Sequence, residues 1–390
     1  MKRIQNPVFI VSLCLLVVCL WLGFSLAGHR PLWNDEIFTE CMLESAPLKR
    51  LFPVNEMEGN VTPLFYFIQK GITASLGYSV PAPWKERDWG YSDVYSQLVL
   101  RINPVFFMSL TIVSIFYFFS RFYSYGWGIY ALIITLTSYM LWAYWTEARP
   151  YALWAFLSTL QSLLFLYIVD QKKKFGKAWS ALAFIHILLP LTIMLGAIQV
   201  LAVSFLLWMV GYKNFRAYIL LTLIPMALAV FYYFHSPMYG IWFSDGPLAL
   251  ISANFPKDRL FVLFVFAILW LGCLVKQKKG NGELPWNCSA LKKGGAYFFL
   301  TALMLLGAGF LLLIYKIKSN TIQDGFPISN RYFMFLMPVG IVATVIFTKS
   351  IWEALAKQRW LQIGFLASFG ILFILRTYNT FQLVRSFYHF

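Results

Sequence analysis

Residues 33–40 read Trp-Asn-Asp-Glu-Ile-Phe-Thr-Glu and place Asp35, Glu36 and Glu40 a few residues past an apolar run from Pro7 to Ala27. The chain has only 16 acids in 390 residues, so two adjacent ones at this point are a concentrated feature. A carboxylate within a turn or two of a membrane boundary stays hydrated enough to ionise. It can then meet a headgroup held at the interface. The same residues suit a plainer role: Asn34 and Asp35 are good helix N-caps, and acids favour a first turn.

Cations that would complement such acids recur at similar places. Residues 146–154 read Thr-Glu-Ala-Arg-Pro-Tyr-Ala-Leu-Trp, with Arg149 between two apolar segments, Glu147 two residues before it and Pro150 suited to begin a helix. The Arg149 guanidinium either pairs with that acid or holds an anion, and its planar fork suits phosphate. Arg331, beside Tyr332, stands at the mouth of a later apolar segment, where a snorkelling interfacial arginine is the simpler account. Arg101 opens another apolar segment, and Lys70 lies in the short stretch 62–77. Three arginines at helix mouths together suggest an anionic headgroup site.

Other chemistries lack their motifs. The four histidines, His29, His186, His235 and His389, form no HExxH, and there is no CxxC pair, Walker loop or G-x-S-x-G elbow. The cysteines are Cys14, Cys19 and Cys273 in apolar segments, with Cys41 and Cys288 in loops on opposite sides, so no disulfide framework is expected.

The elements that must position these residues are membrane helices. The chain is 60% hydrophobic, 19% aromatic and only 12% charged, a composition that predicts an all-α polytopic membrane protein in a lipid bilayer. Apolar segments near 7–27, 98–120, 127–145, 150–169, 178–194, 196–212, 217–234, 258–276, 294–315, 332–349 and 360–377 predict about eleven spans. The run 7–27 reads as a retained anchor, although Ser25-Leu26-Ala27 loosely fits a signal-peptidase site. The net charge of +16 reports orientation, with no nucleic acid implied.

If residues 62–77 do not cross, the inner loops hold 17 of the 32 basic residues and only Asp170, Glu283 and Glu353 of the acids. Residues 28–97 then form one long outer loop with juxtamembrane helices, and 235–257, with Asp245, forms a second outer loop read as a lid. Trp33, Trp84, Trp89, Tyr91 and Tyr95 in the first loop suit either sugar stacking or an interfacial belt.

Five short motifs in order carry a resemblance: Asp35-Glu36, Thr62-Pro63-Leu64-Phe65-Tyr66, Arg101-Ile102-Asn103-Pro104, Glu147-Ala148-Arg149-Pro150-Tyr151 and Arg331-Tyr332 with Pro338. The chain resembles the GT-C superfamily of membrane glycosyltransferases, particularly bacterial relatives of the dolichyl-phosphate-mannose protein mannosyltransferases and the lipid A aminoarabinose transferase. The resemblance implies a polyprenyl-phosphate-linked sugar donor and a glycan or lipid-linked acceptor, such as an O-antigen or another envelope polymer. It also implies a site on the periplasmic face of a bacterial inner membrane.

In that reading Asp35 is the general base, with Glu36 beside it at the catalytic centre. Arg149, Arg331, Arg101 and Lys70 bind donor phosphate, and Glu147, Tyr151, Tyr332 and Asp245 organise the site or the acceptor. A divalent metal is the one cofactor the resemblance leaves open. Some relatives carry an aspartate after the second arginine motif; Ala152-Leu153-Trp154-Ala155 stand there instead, so a divalent metal would lack that ligand. A transporter or flippase, a protein O-glycosyltransferase and a membrane O-acyltransferase are the competing classes.

Overall fold

The computed structural model describes residues 5–45, 62–79, 93–170, 176–211, 215–235, 240–243, 245–279, 286–319 and 325–388. Of the residues considered above, Trp84, Trp89, Tyr91, Glu283 and His389 lie outside them, as do the middle of the first loop and parts of 235–257. The described chain is a helical polytopic membrane protein. Among the described residues, eight helices are long and apolar enough to span a bilayer.

They are α1 (Gln5–Ala27), α4 (Val94–Phe122), α7 (Tyr151–Asp170), a segment running through a π turn at Ile219–Leu223 into α11 (Ile224–His235), α13 (Lys257–Lys279), α14 (Cys288–Ser319), α15 (Leu336–Ala354) and α16 (Arg359–Tyr388). Between them lie α2 (Asn34–Ser45), α3 (Leu64–Ser75), α5 (Tyr125–Leu136), α6 (Tyr139–Trp145), α8 (Lys177–Thr192), α9 (Gly196–Met209), α10 (Phe215–Tyr218) and α12 (Pro247–Ser252). Two four-residue strands, β1 (Gly240–Phe243) and β2 (Gly325–Ile328), pair in parallel.

All eleven expected segments are helical over most of their length, but three depart from simple spans. Residues 127–145 divide into α5 and α6, bent by 66°. Helices α8 and α9 have 16 and 14 residues, about 24 and 21 Å at 1.5 Å per residue, against a hydrocarbon core of about 30 Å.

Burial orders the bundle. The apolar windows of α15 and α7 are 83% and 72% buried, whereas that of α16 is 11% buried. α7 and α15 therefore form the centre, and α16 presents its apolar side chains outward, as a lipid-facing helix does. Helix α4 packs between α1, α5 and α7, and α15 contacts α13, α14 and α7. Gly23 allows the α1 approach: a Cβ there would lie 2.7 Å from Val105 and 2.8 Å from the Trp145 indole.

The α5–α6 bend frees backbone carbonyls that a span must satisfy internally. Trp142 Nε1 donates to Leu136 O at 2.6 Å, and Arg376 donates to the Thr137 carbonyl and, at 3.0 Å, to its hydroxyl. Arg259 donates to Ser138 Oγ and, at 2.9 Å, to Asn254 O. The bend carries α6 toward the turn at 146–149.

Helix α3 is short of a span at 12 residues and rests on α4, with Gln69 Nε2 donating to Val99 O at 3.2 Å. Contrary to the expectation that no disulfide forms, Cys273 and Cys288 are bonded, with Cα atoms 5.7 Å apart. Cys288 is the first residue of α14 rather than a loop residue. The antiparallel packing of α13 and α14 that joins the two cannot be read from their spacing in the chain.

Candidate functional site

The site begins with a buried hub. Arg101, on the second turn of α4, is fully buried and directs all five of its N–H groups at acceptors. Its Nε donates to Glu36 Oε1 at 2.9 Å and one Nη2 hydrogen to Glu36 Oε2 at 2.7 Å. The remaining three go to the carbonyls of Ala27, Arg30 and Pro31 at 2.7, 2.5 and 3.1 Å. Glu36 in turn accepts from the backbone N–H of Ala148 at 2.7 Å and of Trp33 at 3.3 Å.

One ion pair thus welds the end of α1, the start of α2, α4 and the 146–149 turn. An isolated buried charge would be expensive; complete pairing and hydrogen bonding offset that cost. This corrects the expected roles: Arg101 has no N–H left for a phosphate, and Glu36 has no open oxygen for catalysis. Both position their neighbours.

What the hub positions is Asp35, one residue before Glu36 and facing the other way. Its Oδ2 lies 2.6 Å from Nη1 of Arg331, and these side chains remain 22% and 14% exposed. Arg331 sits on the 3-10 turn Asn330–Phe333 ahead of α15. Its guanidinium carbon is 5.5 Å from the Trp33 ring and 5.7 Å from each of Tyr151 and Tyr332, an aromatic box of the kind that holds a cation. Burial opposes the charge of Arg331, but the oxygens of Tyr151, Tyr332, Asp35 and Glu147 more than offset this and raise its pKa.

The turn carrying Arg331 is itself held. Tyr144 OH donates to Asn330 Oδ1 at 2.9 Å, and Asn254 Nδ2 donates to Asn330 O at 2.8 Å. Arg149 donates through Nη1 to the Asp35 carbonyl at 3.4 Å. Glu147, 3% exposed, lies within the electrostatic reach of Arg331, Glu36, Arg30 and Arg149. Burial pushes its carboxyl up to about 8, the arginines opposing that shift.

Several buried polar atoms here have no hydrogen-bond partner: Trp33 Nε1, Tyr151 OH, Arg331 Nε, Ser329 Oγ and Glu147 Oε1. Buried polar atoms are rarely left unsatisfied, so this cluster beside a cation calls for partners from outside the chain, water or a bound group.

Two further expected members make other contacts or face solvent. Lys70 Nζ donates to Leu43 O at 2.9 Å, near the C-terminal end of α2, where a cation suits the exposed carbonyls. Asp245 is exposed after β1 and within electrostatic reach of Tyr139, which also senses Glu147. Of the carboxylates at the site, Glu36 is taken by Arg101, Ala148 and Trp33, and Asp35 faces Arg331. Among the described residues no group of three or more His, Cys, Asp or Glu side chains could hold a metal ion.

Sequence reasoning missed Asn330 and the second buried charge cluster. In the latter, Arg376 Nε meets Asp258 Oδ2 at 2.9 Å next to Arg259. Arg376 stands one residue before the end of the apolar segment expected at 360–377, and only the continuation of α16 to Tyr388 carries it well inside the helix.

No protein-family model matches the chain, and no curated protein matches it at a significant level.

Proposed function

We propose that the protein is an inverting glycosyltransferase of GT-C-like architecture with eleven crossings, transferring a monosaccharide from a polyprenyl-phosphate donor to a glycan or lipid-linked acceptor. The supporting observation is the meeting of Asp35 and Arg331 at 2.6 Å, ringed by unpartnered donors on Trp33, Tyr151 and Arg331 itself. A carboxylate and a guanidinium at one partly open spot are what transfer from a phosphate leaving group requires. The basic bias of the loops on the opposite side sets the reading that this end faces the periplasm of a bacterial inner membrane.

In this reading the donor phosphate takes Arg331 Nε–H, Trp33 Nε1–H and the Tyr151 hydroxyl as ligands, with Arg149 behind them. The anion competes with Asp35 for Arg331 and releases the carboxylate. Asp35 then accepts the acceptor's hydroxyl proton as its oxygen bonds to C1 of the sugar. The bond from C1 to phosphate oxygen breaks with its electron pair on the phosphate. One base and one attack on C1 invert the anomeric centre.

The test is transfer from synthetic polyprenyl-phosphate sugars by purified protein in detergent. Asp35→Asn should retain fold and donor binding and lose about 10²-fold or more in turnover. Undiminished transfer by that variant would remove Asp35 from the chemistry.

A further inference from the structure

Glu147 has no part in the scheme above, yet it is a buried acid of the site that, unlike Glu36, makes no ion pair with an arginine in the hub. It lies in the turn between α6 and α7, and its Oε1 is buried without a partner. The turn is fixed on one side by Ala148 N–H to Glu36 and on the other by Arg149 N–H to Glu147 O at 2.7 Å. Around Glu147 stand Arg331 ahead of α15, Arg149 on its own turn, Arg30 between α1 and α2, Glu36 on α2, Tyr139 and Tyr144 on α6 and Tyr151 on α7.

Three arginines would ordinarily hold a carboxylate ionised. Enclosure outweighs them, and the carboxyl stays protonated up to about 8. An ionised Glu147 would repel the anion that Arg331, Trp33 and Tyr151 are disposed to accept. A neutral one adds an O–H donor to the same group.

We propose that Glu147 is the acid of the transfer: as a neutral carboxyl it donates a hydrogen bond to the donor phosphate and passes its proton to the oxygen leaving C1. This rests on the glycosyl-transfer reading. The bond from C1 to phosphate oxygen breaks, the electron pair stays on oxygen, and the Glu147 proton neutralises one charge there. The acceptor proton goes to Asp35. The cycle closes when Asp35 releases a proton to water and Glu147 takes one up, so no further reactant is consumed.

The experiment has two arms. In the first, infrared difference spectra of the intact protein in detergent are recorded across pH, with Glu147→Gln as the reference. A buried carboxyl band present at pH 7, lost as pH rises through about 8 and missing from the variant supports the proposal. Its absence at pH 7 overturns it, whatever the substrate proves to be.

In the second arm, affinity for a polyprenyl-phosphate monosaccharide, a phosphodiester that does not titrate near neutrality, is followed from pH 7 to 9.5. Wild-type affinity should fall about tenfold per pH unit above the titration, while Glu147→Gln binds with a flat profile and turns over about 10²-fold more slowly. Parallel profiles, or unchanged turnover by the folded variant, overturn the proposal. If no polyprenyl phosphate binds at any pH, the glycosyl-transfer reading and the proposal that rests on it both fail; the infrared arm then still separates a protonated Glu147 from an ionised one.

Discussion

Asp35 and Arg331 stand 296 residues apart in the chain and 2.6 Å apart in space. The pair joins the first turn of α2 to the turn ahead of α15, and so ties the two ends of the sequence at one end of the bundle. Three aromatic rings from separate elements surround the cation. A lysine would keep the charge but lose the planar fork and the stacking.

Arg331→Lys is accordingly expected to fold and to bind the donor about 10- to 100-fold more weakly, the loss of a charged hydrogen bond of about 1.5–3 kcal/mol. Donor titrations in detergent measure this. Equal affinity would mean that the phosphate lies elsewhere.

Arg101→Lys tests the hub. A lysine has three donors where Arg101 uses five, and it cannot bridge both oxygens of Glu36. Breaking a buried pair of this kind costs about 3–5 kcal/mol, so the unfolding midpoint should drop sharply even with donor present. Were Arg101 instead a phosphate ligand, the variant would lose affinity and keep its stability.

Residue type and order made part of this legible. The apolar segments and the motifs at 35–36, 147–151 and 331–332 are local patterns, and they meet at one end. The α5–α6 bend has no proline or glycine to announce it, since Thr137 and Ser138 stand at the break. Arg101 and Arg331 look alike in sequence, each an arginine at a helix mouth. Only the three-dimensional path puts three carbonyls of the α1–α2 link around the first and three rings around the second. Lys70 likewise looked like a phosphate ligand until α3 laid it against the end of α2.

Stability should also report Glu147. A carboxyl whose folded pKa is raised from an ordinary 4.5 to about 8 contributes fully below 4.5. That contribution is lost progressively as pH rises through about 8. Melting curves of the wild type should therefore fall between pH 5 and 8 relative to those of Glu147→Gln. A constant difference across this window would show that Glu147 is ionised throughout.

The bond between Cys273 and Cys288, 15 residues apart, closes a short loop between α13 and α14. Cys273→Ser should lower stability by about 3 kcal/mol under non-reducing conditions. The variant should expose one additional alkylatable thiol, Cys288. Wild-type protein in which both thiols label without reductant would refute the linkage.

The parallel strands β1 and β2 bear on motion. Residues 240–243 are laced to 325–328, and Arg331 follows only three positions later. The strand Gly240–Phe243, within the segment expected from sequence to act as a lid, is therefore tied through the backbone to the turn that carries the cation. If Gly240–Phe243 swings outward with the ribbon intact, it drags Arg331 off Trp33 and away from Asp35, so opening the mouth would dismantle the grip beneath it.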